Sequence, residues 1–90
     1  MAKRVVPAEK PDMTRAVDMA MLGAYIRYKR SLLGITLEDA ASLSGVSKQA
    51  YSNVETGKAN TRADTLFKAL EALGIQLQIV DIPEQTDDWG

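Results

Sequence analysis

Residues 36–57 read TLEDAASLSGVSKQAYSNVETG, and their punctuation decides how this part of the chain folds. Thr36 and Asp39 stand three apart. The Thr36 hydroxyl can accept from a first-turn amide while the Asp39 carboxylate reaches back to the amide of Thr36, a capping box that starts a helix. Leu37, Ala40, Ala41 and Leu43 follow at helical spacing as its apolar face. Glu38 and Asp39 fall in its first turn, where the helix dipole favours negative charge. Gly45 followed by the apolar Val46 predicts a left-handed C-terminal cap with its hydrophobic contact. Ser47 then caps a second helix over residues 48–56.

The second helix sorts by angle into two faces. Ala50, Tyr51 and Val54 point inward. Lys48, Gln49 and Ser52 share the opposite side, with Asn53 at its edge. Gln can bond adenine through two contacts, Lys can reach guanine or phosphate, and Ser can serve either. On an isolated helix such residues are usually just a solvated polar face. Two caps around a tight Gly-Val-Ser turn favour a helix-turn-helix instead, with the second helix as the element that enters a DNA major groove. Base contacts are then expected from Lys48, Gln49, Ser52 and Asn53. Phosphate contacts are expected from Thr36, Ser47, Lys58 and Arg62, which set register without reading sequence.

Working outward, a first helix is expected from about residue 12. Val17, Met21, Leu22, Tyr25, Ile26 and Leu33 form its buried stripe, and Gly34 ends it. Beyond the second helix, residues 57–60 form a loop, Thr61 and Asp64 repeat the capping box, and Leu66, Phe67, Leu70 and Leu73 make a last core helix closed by Gly74. Residues 75–80, IQLQIV, alternate apolar and polar side chains with a period of two, the pattern of a half-buried strand. A lone strand leaves its backbone unpaired, so its natural partner is the same segment of a second chain, antiparallel across a twofold axis. The alternative is a tail packed on its own domain without ladder bonds. The expected fold is an all-α helix-turn-helix bundle of four to five helices with one C-terminal β-strand pairing across a homodimer. Residues 1–11 form a flexible basic arm, 12–74 the DNA-binding domain, 75–80 the dimerising strand (Ile75, Gln76, Leu77, Gln78, Ile79 and Val80), and 81–90 a flexible acidic tail.

Composition sets limits. Ninety residues with 46% hydrophobic content allow one small domain with a modest core, and no run suits a membrane span. Cysteine is absent, so no disulfide or thiolate metal site can form, and the N-terminus lacks the apolar core of a secretion signal. A cytoplasmic protein is expected. Histidine is absent too, which removes the commonest general base and metal ligand. The adjacent Asp87 and Asp88 read as solvated charge, so neither an enzyme, a metal site nor a cofactor is expected. Net charge is −1, but it is unevenly placed. Residues 1–62 hold ten bases and six acids, net +4, and residues 63–90 hold one base and six acids, net −5. A basic body suits phosphate through counterion release, whereas the acidic end suits a different partner.

Residues 22–80 carry, in order, YIRYKRSLLGIT, LEDAASLSGVS, KQAYSNVETGK and DTLFKALEALGI. This stretch resembles the XRE or phage-repressor type of helix-turn-helix protein, with motif positions at Arg30, Thr36, Ala41, Gly45, the SNVETG run over 52–57 and the ALG of 72–74. The resemblance implies a structural ion pair between Arg30 and Glu55. It departs at Leu37, where the family usually has a glutamine that contacts phosphate, and at Ala40, usually a leucine. Within the family the chain is similar to HipB-like antitoxins, which repress their own operon and bind a HipA-type serine/threonine kinase toxin. That similarity implies a homodimeric transcriptional repressor with operator DNA and a HipA-like kinase as partners. Trp89, near the end of the acidic DIPEQTDDWG tail, would dock on the toxin. The competing readings are a stand-alone dimeric regulator without a toxin partner, and an adaptor that has lost DNA binding. The polar, basic outward face of the second helix disfavours the adaptor.

Overall fold

Four helices make up the regular structure of residues 5–82, the part of the chain that the computed structural model describes. They are α1 (Met19–Leu32), α2 (Leu37–Ser44), α3 (Lys48–Glu55) and α4 (Ala63–Ala72). Local chemistry starts three of them. The Asp18 carboxylate accepts from the Met21 amide at 2.8 Å, the Thr36 hydroxyl from the Asp39 amide at 3.2 Å, and the Ser47 hydroxyl from the Ala50 amide at 3.1 Å. Between α2 and α3, Gly45 adopts φ 73°, which only glycine takes without strain. This lets the Val46 amide turn back to the Ala41 carbonyl at 3.1 Å and close the tight turn.

Each helix buries one stripe. Leu22 and Ile26 of α1, Ala40 and Ala41 of α2, Tyr51 and Val54 of α3, and Leu66, Ala69 and Leu70 of α4 meet in a single core, joined by Leu73. Burying an aliphatic or aromatic side chain of this size contributes roughly 1.5–3 kcal/mol. The helix α3 packs on all three others, so the core holds it from behind. Gly23 lets α1 come close to the C-terminal end of α3. A Cβ there would stand 2.7 Å from the Glu55 carbonyl oxygen and collide with that of Val54.

Several expectations are corrected. The helix count is not among them, since the four helices of the described residues fall within the expected four to five. The first helix starts at Met19 and not near residue 12, because the Asp12 carboxylate instead closes a local turn with the Thr14 amide and hydroxyl, at 2.9 and 2.6 Å. Val17, left outside the helix, is consequently exposed, and Leu33, at the C-cap of α1, is exposed as well. Leu43 is 64% exposed, and Phe67 also faces outward. In both helices the i, i+3, i+4, i+7 stripe passes through other residues: Ala40, Ala41 and Ser44 in α2, and Leu66, Ala69 and Leu70 in α4, running on to Leu73. The second capping box does not form. Arg62 occupies the cap position of α4 without a side-chain cap bond, while the Thr61 hydroxyl donates to the Lys58 carbonyl at 2.8 Å.

Residues 75–82 carry no strand. Ile75 packs on the core, but no described backbone offers a ladder to the residues after it. At the other end, the Ala8 amide donates to the buried Ser31 hydroxyl at 2.8 Å, and Lys10 Nζ lies 6.0 Å from the Tyr28 ring centre. Lys3, Arg4 and the tail from residue 83, Trp89 included, lie outside the described residues. Among those described, no helix is long and apolar enough to cross a membrane.

Candidate nucleic-acid interface

The outward face of α3 collects the expected base-reading residues. Lys48 and Gln49 are exposed, and Ser52 and Asn53 are half-buried beside them. Lys48, Gln49 and Ser52 line one shallow depression together with Leu37 of α2. Gln49 Nε2 donates to Asn53 Oδ1 at 3.0 Å, one helical turn on. That bond uses the Asn53 acceptor and orients the Gln49 amide, so Asn53 stands as a support for Gln49 as much as a reader in its own right.

Sequence reasoning missed Glu38. Local pattern assigns it only to the dipole of α2, yet its Oε1 lies 4.0 Å from Lys48 Nζ, with both side chains more than half exposed. The crossing of α2 and α3 creates this proximity, and no single-helix pattern encodes it. An exposed pair of this kind contributes little to stability, and its effect is to restrain where the Lys48 charge points.

The expected phosphate contacts are of two kinds. Thr36 and Ser47 spend a hydroxyl lone pair on the N-caps of α2 and α3, and each keeps its hydroxyl hydrogen for an outside acceptor. The two exposed first turns also direct amides and dipole outward beside those hydroxyls. Lys58 and Arg62 are exposed between α3 and α4 and are not part of the α3 depression. Lys58 is placed by its amide, which donates to the Asn53 carbonyl at 3.0 Å. Arg62 Nε donates to Asp64 Oδ1 at 3.1 Å, and this bond holds the Asp64 carboxyl below its usual range. Arg62 therefore presents a partly compensated charge.

Behind this surface, Arg30 and Glu55 form the pair that the resemblance implied. Arg30 Nε and Nη2 donate to the two Glu55 carboxylate oxygens at 2.5 and 2.9 Å, and Nη1 donates to the Ile35 carbonyl at 2.9 Å. The bonds to Glu55 raise the Arg30 pKa further, so the cation is fixed. This pair holds the end of α3 to α1 and to the entry of α2, and takes no part in the outward face.

A family profile described as Helix-turn-helix matches residues 26–80. The chain belongs to that family, the XRE-type helix-turn-helix proteins, which are DNA-binding transcription regulators. An uncharacterised HTH-type transcriptional regulator of Haemophilus influenzae is 38% identical over 53 residues, covering 59% of this chain and 54% of the relative. The chain thus spans about half the length of that curated relative. Among solved structures, a chain of the HipA-HipB-O2-O3 complex superposes with a TM-score of 0.69 at 25% identity, covering 77% of this chain and 97% of that one. The clp gene regulator ClgR from C. glutamicum gives 0.58 at 31% identity, covering 69% and 80%.

Proposed function

We propose that the chain is a sequence-specific transcriptional repressor that binds operator DNA as a symmetric homodimer. The observation that carries this reading is the outward face of α3. Its polar residues stand together on the outward side of a helix whose other side is locked into the core, and the hydroxyls of Thr36 and Ser47 flank it at two helix N-termini. Lys48, Gln49 and Ser52 read base edges with Asn53 supporting Gln49, and Thr36, Ser47, Lys58 and Arg62 grip phosphates. Two copies of α3 enter successive major grooves, so half-sites stand about one helical turn, or a multiple of it, apart.

The dimer forms through Ile75, Gln76, Leu77, Gln78, Ile79 and Val80. The alternation of this segment suits a half-buried strand, and its single-chain backbone lacks a ladder that a second copy can supply antiparallel. Sedimentation of the purified chain tests this, with a two-chain mass expected.

The similarity to a chain of the HipA-HipB-O2-O3 complex supports a narrower reading. In it the protein is the antitoxin of a HipA-like serine/threonine kinase, represses its own operon, and holds the kinase through Trp89. A tryptophan in an acidic tail supplies a large apolar anchor for a partner surface. The test is co-purification with the product of the adjacent gene, followed by removal of residues 81–90. The reading expects the partner to be released while DNA binding persists. The similarity to ClgR, described as a gene regulator, favours the second reading of a stand-alone dimeric regulator. Under that reading no kinase co-purifies and the tail is dispensable.

A further inference from the structure

The turn before α1 and the segment after α4 together enclose a groove of about 260 Å³. Met13, Val17, Met21 and Tyr25 are among the residues that line one side, Ile75 and Leu77 among those of the other, and Lys29 is a charged member of the lining. Met13 and Val17 are substantially exposed despite facing this apolar hollow. Immediately downstream, Ile79, Val80 and Ile82 are 95%, 82% and 88% exposed. One chain thus carries an open apolar groove and an apolar segment that leaves the groove without entering it. Solvating both is unfavourable, and a second copy of the chain can cover both at once.

We propose that the groove receives Ile79 of a second copy of this chain, with Asp81 of that copy brought to Lys29; the inference rests on the dimer reading above. The alternation sets the register. Directly opposed residues of an antiparallel pair point to the same face, so the apolar faces of both copies coincide only when odd positions oppose odd ones. A one-residue slip turns one apolar face outward. Placing Leu77 on the twofold axis, opposite its own counterpart, sets Ile79 of one copy against Ile75 of the other. Ile75 packs on the core and forms a groove wall. Asp81 follows on the same face as Ile79, which matches an acid to the Lys29 of the lining. The strand pairing and the groove are then one interface, and the turn at residues 13–17 is part of it.

The absence of cysteine from the chain allows a clean test. Val17→Cys and Ile79→Cys are purified separately, mixed in equal amounts and oxidised. The expected result is a covalent heterodimer in the mixture, well above any homodimer that either variant forms alone. Sedimentation that shows a dimer without this cross-link overturns the groove assignment and leaves the dimer standing. A monomer by sedimentation overturns both. In parallel, Val17→Glu changes an exposed side chain, and the fold is expected to survive as judged by circular dichroism. It should weaken dimerisation by about tenfold or more, and unchanged dimerisation counts against the groove. A red shift of Trp89 fluorescence in monomeric Val17→Glu would instead seat the acidic tail in the groove and overturn the proposal.

Discussion

Arg30 and Glu55 are joined by two parallel hydrogen bonds between side chains only 12% and 6% exposed, and the same guanidinium also caps the Ile35 carbonyl. One arginine thereby ties the end of α1, the entry to α2 and the C-terminal end of α3, which aims the outward face of α3. Arg30→Ala leaves the Glu55 carboxylate buried without its partner and should cost about 3–5 kcal/mol, a large part of the roughly 5–15 kcal/mol that holds a small domain together. Arg30→Lys cannot reproduce the fork and should also destabilise. Replacing both residues, Arg30→Met with Glu55→Leu, should recover most of the loss. Urea unfolding of the four proteins checks this, and a loss under about 1 kcal/mol for Arg30→Ala would remove the pair from its anchoring role.

Gly23→Ala gives a second test of how α3 is seated. Alanine is the better helix former by about 1 kcal/mol, so an open site would be stabilised. The added Cβ instead meets the Val54 and Glu55 carbonyl oxygens, and backbone cannot move aside cheaply. A net loss of about 1–3 kcal/mol is expected from overpacking, read as a lower thermal midpoint. Weaker operator binding should accompany it, because the end of α3 must shift. A rise in midpoint would show that α1 and α3 do not approach closely.

Tyr51 is fully buried, and its hydroxyl has no hydrogen-bond partner among the described residues. Tyr51→Phe removes a desolvated polar group and keeps the ring, so stability should hold or rise by about 1 kcal/mol. Burial, with the Glu55 charge adding to it, pushes the phenol pKa well above its ordinary value of 10.0. The folded state then favours the neutral phenol, so this contribution is fully present below pH 10.0 and is lost as pH rises further. Base titration of the unfolding midpoint should show a steeper alkaline fall in the wild type than in Tyr51→Phe. Equal slopes would place the hydroxyl in contact with water.

How much of this was legible in the sequence depended on how local the physics is. The Ser47 cap and the Gly45 turn are settled by residues within five positions of one another and form as read. Of the Thr36 capping box only the hydroxyl half forms, with no bond from the Thr36 amide to the Asp39 carboxylate among the described residues. The apolar stripes were harder. Leu43 and Phe67 are large and apolar yet exposed, while Ser44 is buried by donating its hydroxyl to the Ala40 carbonyl at 2.8 Å. Side-chain type pointed to the wrong positions where helical angle pointed to the right ones. The start of α1 was also misplaced: Asp12 closes a local turn with Thr14, and Asp18, which the apolar pattern did not single out, caps the helix. The proximity of Glu38 to Lys48 and the groove beside α1 depend on elements distant along the chain, where no local pattern reaches.

Lys58 and Gln49 separate affinity from specificity. Lys58→Ala should weaken binding to every duplex by a similar factor and reduce the slope of log affinity against log salt by about one unit per subunit. Affinity measured against salt on the operator and on unrelated duplexes checks this. A loss confined to the operator would make Lys58 a base reader.

Gln49 bears on the central claim most directly. Selection of bound duplexes from a random pool, run in parallel with the wild type and Gln49→Ala, reports what α3 reads. The account predicts an inverted repeat with half-sites about one helical turn, or a multiple of it, apart. In Gln49→Ala, preference should fall at one base position of each half-site, by roughly 1–3 kcal/mol, with the other positions kept. Identical motifs from the two proteins, or a selected pool without symmetry, would contradict it.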